Sequence, residues 1–153
     1  NVPLGAHYGW PWIYWKTHGD WRVQDPVPSY LTDIVRKPEY ALGVHVAPLG
    51  LAFARGGNLM GPRFASGAFI ANHGSWNRKP RSGYKVIFVP FADGKPDALP
   101  VDVLTGFLDG EGDAQGRPVG VSLDSRGALL VADDVGNVIW RVSSASGQAV
   151  AAH

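Results

Sequence analysis

From position 48 onward, short apolar runs alternate with breaks rich in Gly and Asp. Leu49 to Phe53, Gly67 to Ala71 and Lys85 to Phe91 each read as a strand. Asp93-Gly94-Lys95-Pro96 reads as a turn, and Val101 to Leu108 as a fourth strand. After a Gly/Asp-rich loop over 109–116 the pattern returns. Pro118 to Leu123, Ala128 to Ala132 and Val138 to Val142 are the expected strands, with turns at Asp124-Ser125-Arg126-Gly127 and Gly136-Asn137.

Residues 1–47 show no such alternation. They form a loop-rich opening segment, with one strand at most and a turn or two of helix between Tyr30 and Arg36. Pro26, Pro28 and Pro38 break the rest. The aromatic side chains around His7-Tyr8-Gly9-Trp10-Pro11-Trp12 are expected to pin the segment to a core, since each can bury roughly 150–250 Å². The tail 143–153 is small and polar and is expected to fray.

The returning pattern is an internal repeat. Pro48-Leu49-Gly50-Leu51-Ala52-Phe53 matches Pro118-Val119-Gly120-Val121-Ser122-Leu123. Aligned on their glycines, Gly67–Ala71 matches Gly127–Val131, and Lys85–Val89 matches Asn137–Arg141. Inserts at 54–66 and 72–84 lengthen the first copy. Short strands in repeats describe blades of an all-β propeller. A blade takes about 40–50 residues and closure needs about four blades or more. The chain therefore reads as an incomplete propeller of two to three blades. Residues 48–108 form a blade with inserts and residues 117–142 hold the last blade's strands. Because the chain opens on Asn1 rather than Met, it is expected to be processed or cut from something longer. Alone, it is expected to be a poorly soluble monomer with open strand edges.

Composition narrows the chemistry. The chain has 153 residues, 20 Gly and 12 Pro, which disfavours long helices. Net charge is +1, so no nucleic-acid partner is indicated. Cys is absent, which excludes disulfide frameworks, thiolate zinc sites and Cys nucleophiles. No apolar run approaches the ~18 residues of a membrane span. Asp109-Gly110-Glu111-Gly112-Asp113 starts like an EF-hand loop, but Ala114 and Gly120 stand where Gly and Glu are required. There is no HExxH, GxSxG or Walker motif.

The repeat predicts which residues share one rim. The second strands lead into Asn72-His73-Gly74-Ser75-Trp76-Asn77-Arg78 and into Asp133-Asp134. His45 precedes the first strand of one copy and Arg117 that of the other. His45, the 72–78 loop, Arg117, Asp133 and Asp134 are thus candidates for a common site. Each has a structural alternative. His45 can cap a loop against Tyr40, His73 can be a satisfied turn histidine, and Arg117 can pair with Asp133 or Asp134. Arg78 with Lys79 and Arg81 can be a solvated loop. Adjacent Asp133 and Asp134 point apart on a strand end, so one of them is expected to be structural.

Several segments resemble one family. They are Gly9-Trp10-Pro11, Ala41-Leu42-Gly43 with His45, Leu49–Phe53, His73-Gly74-Ser75-Trp76-Asn77-Arg78, and Ser82-Gly83-Tyr84-Lys85-Val86. Thr105-Gly106-Phe107, Gly116–Val121 and Leu129–Asp134 continue the resemblance in order. The chain is similar to the pyrroloquinoline quinone (PQQ)-dependent glucose/sorbosone dehydrogenases, and most resembles their L-sorbosone branch. The resemblance implies a six-bladed propeller and oxidation of an aldose or aldehyde sugar, with PQQ as hydride acceptor and calcium holding the quinone. It implies a periplasmic or secreted enzyme that passes electrons to an external acceptor, a cytochrome or quinone. It places the catalytic base and the calcium ligands upstream of Asn1, so no catalytic or metal residue is assigned here and the chain alone is expected to be inactive.

The resemblance also implies cofactor contacts. Arg117 matches an arginine that meets the quinone carboxylates, and Asp134, or Asp133 with a one-residue shift, an acid at the same rim. His45 falls at a cofactor-facing position. The 73–78 loop, with His73 and Ser75, replaces a segment that carries a PQQ-binding lysine in glucose-oxidising relatives. Gly74 or Ser75 takes the lysine position, and Arg78 is the substitute cation. Gln115 stands where those relatives carry a second arginine, which favours sorbosone-type substrates. Two competitors are a metal-dependent propeller lactonase, using Asn72, Asp133 and Asp134, and a non-enzymatic propeller binding module.

Overall fold

The computed structural model describes residues 2–145. The expected fraying of the tail beyond residue 145 lies outside the described residues. Two compact units divide the chain, residues 1–41 and residues 42–153. The break comes earlier than position 47.

In the first unit, β1 (Ile13–Tyr14) pairs antiparallel with β2 (His18–Gly19). The helix α1 is short, Leu31–Ile34, inside the stretch that could hold one. A parallel bridge joins His7 to Val35, and the Arg36 N–H donates to the His7 carbonyl at 2.8 Å. The aromatics do not all pack inward as expected. Trp10, Tyr14, Trp21 and Tyr30 are exposed. Strands of two residues offer no sheet face to cover such rings.

Among its described residues the second unit is all-β apart from one 3-10 turn, Pro62–Phe64. One sheet runs β3 (Pro48–Phe53), β4 (Gly67–Asn72), β5 (Lys85–Ala92), with β7 (Val101–Leu104) also on β5. A two-residue strand, β6 (Lys95–Pro96), folds back on Phe91 and Ala92 where a plain turn was expected. The fourth strand stops at Leu104 rather than Leu108. Gly106 there takes a φ of 91°, which leaves the β region. The other sheet is a three-stranded meander, β8 (Pro118–Leu123), β9 (Leu129–Asp133) and β10 (Val138–Val142).

The register corrects the repeat by one residue. Leu51 pairs with Ile70, and Val121 pairs with Val131. Both first strands carry a register shift just after their proline. With β3 laid on β8, Ala68 therefore corresponds to Leu129, Asn72 to Asp133 and His73 to Asp134. Aligning on glycine misleads because Gly67 lies within β4, while Gly127 sits in the preceding turn with φ 86°. A slip of one residue exchanges the faces of a strand.

With the true register the packing becomes head-to-tail. One face of the first sheet (Phe69, Ala71, Val86, Phe88) meets the opposite face of the second (Val121, Leu123, Leu129, Val131, Val142). Met60, Phe64 and Val103 close the core between them. The two first strands lie close together. A Cβ on Gly50 would stand 2.3 Å from the Val119 carbonyl oxygen and 3.1 Å from the Gly120 Cα. No helix among the described residues is long and apolar enough to cross a membrane.

Candidate functional site

β4 and β9 end at the same rim, and the residues just beyond them touch. The His73 N–H donates to the Ala47 carbonyl at 2.9 Å, and the Asp134 N–H to the Arg117 carbonyl at 3.4 Å. These are equivalent bonds in the two copies, so Ala47, not His45, occupies the place of Arg117. The side chains then meet. His73 Nε2 lies 3.1 Å from each carboxylate oxygen of Asp134. An ionised carboxylate only accepts, so Nε2 carries the proton, and in the neutral ring Nδ1 keeps the lone pair.

Arg117 straps the two sheets together at this rim. Its backbone N–H donates to Asp133 Oδ1 at 2.8 Å. Its guanidinium reaches the other copy, donating from Nε to the His73 carbonyl at 3.0 Å and from Nη2 to the Gly74 carbonyl at 2.6 Å. The guanidinium carbon sits 5.1 Å over the Tyr84 ring, a cation–π contact. Arg117 therefore does not pair its guanidinium with Asp133 or Asp134. Two of its five N–H groups hold loop carbonyls, and no hydrogen bond within the described residues uses the other three.

Tyr84 is the organiser that sequence reasoning missed. It is 3% exposed. Its hydroxyl donates to the Ser75 carbonyl and accepts from Arg81 Nη1 at 3.1 Å. Gly74, with φ 99°, lies against the ring, and a Cβ there would come within 2.3 Å of Tyr84. The Gly-Tyr pair after a Ser was visible in the sequence, but nothing in its pattern marks a ring buried behind the rim.

Ser75 and Asp133 are turned inward. Ser75 is 2% exposed; its N–H donates to the Ser82 carbonyl at 2.8 Å, and its Oγ accepts from the Ser82 N–H at 3.1 Å. Asp133 is 4% exposed and accepts from the Gly136 N–H at 2.8 Å and Trp140 Nε1 at 3.2 Å, besides Arg117. Desolvation pushes the Asp133 carboxyl up, but the backbone donors of Gly136 and Arg117 and the indole outweigh it and hold it below the usual carboxylate range. These two residues shape the rim from behind. Asn72, the counterpart of Asp133, is 1% exposed with its Oδ1 unpartnered.

His45 and Arg78 are exposed. The His45 backbone borders the site, its carbonyl accepting from Ser82 Oγ at 3.4 Å, with φ 57°. Arg78 lies farther along the 73–78 loop. Among the described residues no group of three or more His, Asp or Glu side chains is placed to hold a metal ion.

Residues 28–145 match the TrAA12-like family model. An uncharacterized protein of Borreliella burgdorferi is 35% identical over 137 residues, 89% of this chain and 35% of that protein. A pyrroloquinoline quinone-dependent pyranose dehydrogenase of Coprinopsis cinerea is 40% identical over 80 residues, 49% of this chain and 10% of that protein. The chain thus spans about a third or less of the length of these relatives. The holo form of the pyranose dehydrogenase PQQ domain from Coprinopsis cinerea superposes with a TM-score of 0.60 at 29% identity, covering 75% of this chain and 31% of that one. A Trichoderma reesei structure of carbohydrate-active enzyme family AA12 gives 0.65 at 22% identity, covering 88% and 38%, and bears on the fold alone. With the match running through both sheets and the rim between them, the chain belongs to the TrAA12-like family.

Proposed function

We propose that the chain is the C-terminal part of a PQQ-dependent sugar dehydrogenase whose rim, at His73, Arg117 and Asp134, faces the quinone. The family supports a sugar oxidoreductase-like domain. The observation that carries the quinone reading is Arg117. It is braced on two main-chain carbonyls and a tyrosine face, yet keeps three N–H groups for an anion. PQQ bears three carboxylates, and a planar guanidinium is suited to bind one of them in bidentate fashion. The donor set here fits one end of such a molecule, with Arg78 as a second cation along the loop.

A bound quinone would supply the hydride acceptor for sugar oxidation; the protein supplies binding and orientation. Arg117 binds and orients a carboxylate, while Tyr84 and the two carbonyls hold the guanidinium in one position. Asp134 fixes the His73 ring through Nε2, leaving Nδ1 as the acceptor in the neutral ring. Asp133 and Ser75 support the rim, and His45 lies beside it. Calcium, if the complete protein uses it, is held elsewhere. Asp133 is taken up by the donors of Arg117, Gly136 and Trp140, and Asp134 by His73, which disfavours the lactonase reading.

The head-to-tail packing of the two sheets supports a propeller, since repeated contacts of this kind close into a ring when the rotation between neighbours permits. On this reading the substrate is an aldose or aldehyde such as sorbosone, electrons leave to an external cytochrome or quinone, and the enzyme is periplasmic or secreted. Residues 1–153 alone turn over no sugar, and dye-linked activity with PQQ and calcium would refute that. Titrating PQQ into the chain while following fluorescence tests the rim itself. Arg117→Ala is expected to weaken binding by about tenfold or more, and Arg117→Lys by less, because it keeps charge without the fork. Equal affinities in all three would remove Arg117 from the quinone site.

A further inference from the structure

We propose that Trp76 is the platform for the sugar, with a pyranose ring laying its C–H face on the indole while Asn77 and Arg78 face its hydroxyls. The proposal rests on the sugar-oxidoreductase reading and deepens it. Trp76 is 81% exposed. The other exposed aromatic residues described in its unit belong to strands: Phe53 lies on β3 and Trp140 on β10. Their exposure is that of sheet edges and faces, which further sheets can cover. Trp76 lies on no strand.

The stem beneath Trp76 is fixed. Ser75 and Ser82 are tied twice across the neck of the loop, and Tyr84 holds the Ser75 carbonyl from below. Ser82 Oγ donates to the Val44 carbonyl at 3.0 Å, the Gly74 N–H to the Val46 carbonyl at 2.9 Å, and Arg117 clamps the Gly74 carbonyl. The neck residues Gly74 and Ser75 are buried, and exposure begins abruptly at Trp76. A large aromatic surface is thus presented on a stem that has little freedom left to lose on binding. Trp76 also lies three residues along the loop from His73, on the rim where the reaction is placed. A pyranose presents a patch of axial C–H groups with hydroxyls around its edge. A flat ring flanked by an amide and a guanidinium complements that pattern, as aromatic side chains with polar neighbours do in other sites.

Saturation-transfer NMR on residues 1–153 tests the idea without turnover, using methyl β-glucopyranoside and the acyclic polyol sorbitol as probes. Transfer into the pyranoside ring protons is expected in the wild type and much less into sorbitol. Trp76→Ala should reduce it about fivefold or more, and Trp76→Phe should restore most of it. An unchanged melting temperature in Trp76→Ala shows that the fold persists. No transfer in the wild type, or equal transfer in Trp76→Ala, overturns the platform. A PQQ titration of the same samples separates the two ideas. Quinone binding without pyranoside contact leaves the quinone site and removes the platform, and pyranoside contact without quinone binding does the reverse.

Discussion

Replacing Asp133 with alanine is expected to cost about 3 kcal/mol of folding stability, because three partly buried donors lose their buried acceptor at once. Those donors are the N–H groups of Arg117 and Gly136 and the indole of Trp140. They come from before β8, after β9 and within β10, so one carboxylate ties the second sheet at its rim. A neighbour cannot take over easily. The approach is close enough that a Cβ on Gly116 or Gly136 would fall within 2.4 or 2.5 Å of Oδ2. Urea unfolding of Asp133→Ala and Asp133→Asn checks this, with Asn expected between alanine and wild type. The pH dependence gives a second reading. The folded carboxyl is held below its ordinary value, so its contribution is complete above the unfolded value of about 4 and lost as pH falls through the folded one. The gap between wild type and Asp133→Asn should therefore narrow below about pH 4. A gap constant with pH would mean the charge contributes nothing.

Gly50→Ala is expected to destabilise by about 2–3 kcal/mol through steric overlap rather than lost contacts. The added methyl meets the Val119 carbonyl at 2.3 Å and the Val121 nitrogen at 2.9 Å, backbone atoms that cannot swing away. The backbone conformation of Gly50 does not itself require glycine, so the cost isolates the approach of the two sheets. Gly110→Ala is the control, since a Cβ there meets nothing within 4 Å and its backbone is ordinary. Thermal melts of the two variants side by side decide the matter. Equal melting temperatures would show that β3 and β8 part without penalty.

Strand positions in the second unit were readable because each strand is bounded by Gly, Asp or Pro and carries apolar residues between. The register was not, because glycine marks a strand in one copy and a turn in the other. That single residue decided which faces meet. The rim residues His73, Arg117 and Asp134 were readable from loop equivalence. Their direction was not: Arg117 turns to main-chain carbonyls, and Ser75 and Asp133 turn inward. Main-chain acceptors leave no trace in side-chain patterns. The two-residue strands β1 and β2 were missed for a simpler reason, since two residues show no alternation.

Under the proposed function, the strap made by Arg117 links binding to assembly. Its backbone is anchored in the second sheet, and its guanidinium grips a loop of the first. A ribosome therefore releases the first sheet with the carbonyls of His73 and Gly74 still bare, and the rim comes into being only when β8 to β10 land. Any ligand that engages the strap reads the closed seam and rejects the open one. Ligand affinity at the rim is then a gauge of how firmly the two neighbouring sheets are shut.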